Sequence, residues 1–134
     1  MLTPPNVPTD HAAKLASILV IDPEPLYRWF VTESLGACGM AVMAAASIEG
    51  GAAYLSDSGS LDLLIVDGDL FLSSGQLRCM LRECAGATPF LVLDSDGDLT
   101  RQEFGTVTVA AKPVDSAALA RLVTSQLRPG VPRA

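Results

Sequence analysis

Apolar residues in this chain come in short unbroken runs, and most of the runs end at an acid. Ser17-Ile18-Leu19-Val20-Ile21 has no polar residue in its apolar stretch, which predicts a strand buried on both faces. Leu63 to Val66 predicts a second such strand, stopping at Asp67. Met40 to Ala44 predicts a weaker strand between these two. Phe90 to Leu93 predicts a fourth, ending at Asp94, and Val107 to Ala110 a short fifth, followed by Lys112-Pro113.

Helical spacing fills the gaps. Leu26, Phe30 and Ala37, flanked by Trp29 and Val31, predict a helix reaching about Cys38, stopped by Gly36 and Gly39. Ser47 predicts the cap of a short helix through Tyr54 and Leu55, weakened by Gly50 and Gly51. Leu77, Met80, Leu81 and Cys84 recur at i, i+3, i+4 and i+7, an amphipathic helix. Asp115 or Ser116 caps a last helix that turns Leu119, Leu122, Val123 and Leu127 inward.

Five strands alternating with helices predict an α/β fold, a parallel sheet with helices on both faces joined by right-handed crossovers. The expected organisation is a disordered tail over 1–16, one domain over 17–127 and a proline-broken tail over 128–134. In such a sheet, ligands collect at the carboxyl ends of the strands. Asp22, Asp67, Asp94 and Lys112 all fall there. The plainer readings are a turn aspartate for Asp67, and for Asp22 a helix cap followed by Pro23.

Composition narrows the function classes. The chain has 134 residues, 49% hydrophobic and 18% charged, which fits one globular domain. A net charge of −6 argues against a nucleic-acid or anionic-membrane partner. Three cysteines without a CxxC pair predict reduced, buried thiols. No apolar run approaches the roughly 18 residues of a membrane span. The first residues lack the basic and apolar regions of a signal peptide, so a cytoplasmic location is expected. Asp94-Ser95-Asp96-Gly97-Asp98 has its glycine and twelfth residue wrongly placed for a calcium loop.

Carboxylates that share one cavity repel unless a cation lies among them. A wet site with oxygen ligands suits magnesium, and an opposed lysine can pair with an anion. An aspartate, a divalent cation and a lysine suffice for phosphoryl transfer onto a carboxylate.

The residues that carry this chemistry also carry a resemblance. Ile18-Leu19-Val20-Ile21-Asp22-Pro23-Glu24-Pro25, Asp62-Leu63-Leu64-Ile65-Val66-Asp67 with Gly75, Pro89 to Leu93, and Lys112-Pro113 resemble a response-regulator receiver domain over nearly all of 17–127. The resemblance implies a flavodoxin-like five-stranded parallel sheet of order 2-1-3-4-5. It implies that Asp67 accepts a phosphoryl group from a sensor histidine kinase or phosphotransfer protein. It further implies that Asp22, Asp67 and the Asp69 backbone carbonyl hold Mg2+ weakly, with Glu24 a further candidate, and that Lys112 contacts the phosphoryl group. The chain would then be a phosphoacceptor, not an enzyme, signalling through a downstream protein partner; separately, the apolar stretch around the fourth helix leaves a homodimer face open as an option.

Three positions depart from the family. Pro23 replaces a second acid, Asp94 stands where Thr or Ser contacts the phosphoryl group, and Val109 occupies the aromatic switch position. The stretch between Asp94 and Lys112 is also short for the family, which predicts a reduced fourth helix. These departures favour an alternative, a pseudo-receiver that binds its partner without phosphorylation. A remote alternative is a haloacid-dehalogenase-like phosphatase, from the short Asp67-Gly68-Asp69 match.

Overall fold

A computed structural model describes residues 15–58, 61–73, 75, 88–95 and 107–127. The described strands are β1 (Ser17–Ile21), β2 (Ala41–Ala45), β3 (Leu63–Asp67), β4 (Phe90–Asp94) and β5 (Thr108–Ala111). The described helices are α1 (Pro25–Ala37), α2 (Ile48–Ser58), α3 (Gly68–Ser73) and α4 (Ser116–Gln126). All four strand pairings are parallel and the order is β2-β1-β3-β4-β5, the order the resemblance implied. The predicted helix over Leu77–Cys84 and the expected reduced fourth helix lie mainly outside the described residues, as do both predicted tails apart from Leu15 and Ala16.

The unbroken apolar runs become strands because the sheet is covered on both faces. Ile18, Val20, Leu63, Ile65, Leu91 and Leu93 point to one side and pack with Val31 and Leu35 of α1 and Leu119 and Val123 of α4. Leu19, Ile21, Leu64, Val66 and Val92 point to the other, where Ile48 of α2 and Phe71 of α3 lie. Residues on the central strands are therefore excluded from water whichever way they face. The start of β1 is tied down twice: Ala41 N–H donates to the Ala16 carbonyl, and Ser17 N–H to Asp62 Oδ2 at 2.7 Å. Ala16 is itself buried in the core.

Helix α1 turns a different face inward than the periodicity predicts. Its buried positions are Val31 and Leu35, with Tyr27 and Phe30 partly buried beside them, a repeat of four. Leu26 is 75% exposed and Trp29 63% exposed, because both lie well around the helix from Val31. Its cap is also displaced from the expected position. Glu24 is the N-cap, its Oε1 accepting Tyr27 N–H at 2.9 Å, with Pro25 opening the helix. Cys38, at the C-terminal end of α1, is free and half-buried rather than buried.

Ser47 caps α2, its Oγ accepting Gly50 N–H at 3.1 Å. Gly51 lets α2 pack closely on β1: a Cβ there would overlap the end of the Ile21 side chain, which would have to shift. Asp115 caps α4 by accepting Ala117 and Ala118 N–H groups, as expected.

Candidate functional site

Alternation along the strands decides which end groups can meet. On β1, Ile18 and Val20 face α1 and α4, so Asp22 continues toward that side. Leu63 and Ile65 do the same for Asp67, and Ala110 for Lys112. On β4, Leu91 and Leu93 face that side, so Asp94 falls on the opposite pleat.

The geometry follows this parity. Lys112 Nζ lies 2.8 Å from Asp67 Oδ1 and 3.0 Å from Asp22 Oδ2, bridging the two acids. Both carboxylates are buried and the lysine is mostly so. Every oxygen of the two acids has a partner. Asp22 Oδ1 accepts Glu24 N–H at 2.9 Å, and Asp67 Oδ2 accepts Leu70 N–H at 3.0 Å. Arg28 Nη1 donates to the Asp22 carbonyl at 2.8 Å and holds the turn after β1.

Two residues to which the sequence assigns no role stand in this site. Tyr27 places its ring centroid 4.6 Å from Lys112 Nζ, a cation–π distance. Its hydroxyl donates to the Pro113 carbonyl at 2.8 Å. Ser95, just past β4, lines the cleft that opens over Asp22, Asp67 and Lys112. That cleft has a volume of about 600 Å³, with Pro23, Glu24, Asp69 and Ser73 among its walls. Only the position of Ser95 beside Asp94 at a strand end pointed to it in sequence. Nothing local pointed to Tyr27.

Asp94 is buried, with its carboxylate packed against Gly68. A Cβ at position 68 would fall 2.8 Å from Asp94 Oδ1. Gly68 thus lets α3 start directly after β3, under the end of β4. The periodicity places no helix here, although Asp67 followed by an acid at Asp69 is a readable cap signal. Asp69 lies in the first turn of α3 with an exposed side chain on the cleft wall. Val109 is half-buried and packs on the α2 and α3 side of the sheet.

Electrostatics hold the lysine charged. Burial by itself lowers the pKa of Lys112, but hydrogen bonds to Asp67 and Asp22 and their charges outweigh it and hold the ammonium above the ordinary lysine value. Burial, followed by the charge of Asp22, pushes the Tyr27 phenol well above its usual 10.0. Both groups keep a proton in the folded chain at pH values where the unfolded chain releases it. Their contribution is full below about pH 10 and is lost as the pH rises through the folded values. Urea midpoints should therefore fall from about pH 10 upward, and fall less in Tyr27→Phe relative to its own neutral value. An equal fall in that variant would assign the decline to other groups.

An aspartate oxygen held beside an ammonium, facing an open cleft, can act as a nucleophile toward an anionic electrophile that shares the ammonium. Asp22 and Asp67 also fit magnesium, which takes one or two carboxylates and keeps its waters. Among the described residues no cluster of three or more acid, histidine or cysteine side chains suited to a metal forms. No described helix is long and apolar enough to cross a membrane.

No protein-family model matches the chain, and no curated protein matches it. Solved structures do. A response-regulator receiver domain protein from Clostridium thermocellum is 24% identical, with 84% of this chain and 94% of that chain covered at a TM-score of 0.70. A response regulator receiver protein from Pseudomonas putida is 26% identical, with 83% and 97% covered at 0.67. The receiver domain of the hybrid histidine kinase CckA is 26% identical, with 84% and 100% covered at 0.67.

Proposed function

We propose, from a chain that has the fold of the response-regulator receiver domains, that it is a signalling module that accepts a phosphoryl group on Asp67. The observation that carries this reading is the contact of Lys112 Nζ with both Asp67 and Asp22 at the mouth of one open cleft. A carboxylate oxygen of Asp67 attacks phosphorus in line. The bond from phosphorus to a donor imidazole breaks, the imidazole leaves and takes a proton from water, and an acyl phosphate remains on Asp67. Lys112 keeps its proton throughout and pairs with the phosphoryl oxygens. Asp22 and Asp67 would hold Mg2+, which when bound neutralises charge on those oxygens. Ser95 is the hydroxyl on the cleft wall next to Asp94. The donor would be a histidine kinase or phosphotransfer protein, and the output a protein–protein contact.

Intact mass after incubation with a small acyl phosphate and magnesium tests this. The wild-type chain should gain one phosphate and Asp67→Asn none. The same adduct in both would remove Asp67 from the role.

A second reading has its own support. Both oxygens of Asp67 are engaged, one by Lys112 and one as the cap of α3. Asp67 therefore has a structural task that a pseudo-receiver would retain. No adduct on the wild-type chain, under conditions that label an ordinary receiver, would favour this reading.

A further inference from the structure

The Tyr27 side chain is held at two points. Its hydroxyl donates to the Pro113 carbonyl and its ring packs on Phe30 with centroids 5.4 Å apart, while its backbone N–H is fixed by the Glu24 cap. A side chain fixed this firmly presents its ring to Lys112 Nζ at 4.6 Å. The lysine stem is long and flexible, and its ammonium must stay over Asp67 while an anion enters. Asp22 and Asp67 pull the ammonium toward the acids, and the ring gives it a third, uncharged contact. Pro113, the residue after the lysine, is gripped by the same tyrosine. We propose that Tyr27 is the positioning residue of this site, its ring setting where the Lys112 ammonium stands and hence how fast Asp67 is phosphorylated. The proposal rests on the reading of Asp67 as phosphoryl acceptor.

Two readouts on the full chain separate the two ideas. The first is the upfield ring-current shift of the Lys112 ε-methylene protons by NMR, which needs no phosphorylation. The second is the rate of phosphate adduct formation from a small acyl phosphate with magnesium. Tyr27→Leu should abolish the shift and slow the adduct about tenfold, since misplacing a catalytic group costs rate steeply. Tyr27→Phe, which keeps the ring, should keep the shift and recover the rate to within about threefold. Should Tyr27→Leu fail to fold by circular dichroism, Tyr27→Met replaces it. A folded Leu or Met variant with the wild-type rate overturns the proposal. Equal slowing in Phe and Leu also overturns it, assigning the effect to the Pro113 bond. No adduct on the wild type, with a shift that Tyr27→Leu abolishes, leaves the positioning intact and removes only the acceptor reading. A wild-type chain without the shift overturns the positioning itself.

Discussion

Lys112→Ala should cost about 3 kcal/mol of stability at pH 7. Removing one partner of a buried ion pair typically costs about 3–5 kcal/mol, because the remaining charge stays desolvated. Here the lower end applies, since the site opens onto a cleft. The variant leaves Asp22 and Asp67 buried without their shared cation. Urea unfolding of both proteins at pH 7 measures the difference. A Lys112→Met protein, which keeps most of the stem without the charge, should lose about as much; wild-type stability in it would trace the effect to the stem, not to charge. The Lys112→Ala variant should take up no phosphate, or take it up far more slowly.

Gly68→Ala should destabilise the chain by about 2 kcal/mol, although alanine is the better helix former by roughly 1 kcal/mol. The added Cβ would lie 2.9 Å from Asp94 Cβ and 3.0 Å from Asp94 Cα. The clash with the Asp94 main chain is the decisive one, because backbone cannot swing aside as a side chain can. Asp94 is paired with Ala111 across the β4–β5 ladder, and its carbonyl accepts Lys112 N–H at 3.0 Å. Overpacking of this kind costs about 1–3 kcal/mol, and here relief would have to move the end of β4, to which the Lys112 N–H is bonded. Combining Gly68→Ala with Asp94→Gly removes the side-chain part of the clash and should recover part of the loss in a double-mutant cycle. A Gly68→Ala protein with wild-type urea midpoint would mean that α3 can shift freely under β4.

The position of Asp94 also revises what its charge does. By the resemblance to receiver domains it stands where a hydroxyl would meet the phosphoryl group, and repulsion there would oppose the proposed reaction. In the fold its carboxylate lies against Gly68 on the other pleat. Ser95, one residue on, lines the cleft instead.

The amino-acid sequence by itself determined the strands and most of the helix ends. The apolar runs at Ser17–Ile21, Leu63–Asp67 and Phe90–Asp94 are strands within a residue of expectation, because burial on both faces leaves an unbroken local signature. The caps at Ser47 and Asp115 were legible for the same reason, being bonds between residues two or three apart. Tertiary structure alone decided the site. Asp22, Asp67 and Lys112 meet only because strand register and alternation point all three to one side of the sheet. The ring of Tyr27 reaches Lys112, far along the chain, because α1 packs over that side. The exposure of Leu26 and Trp29 was likewise set by which face of α1 the sheet and α4 left room for. Local periodicity reports which residues share a face, whereas the meeting of distant residues depends on how whole elements are placed against one another.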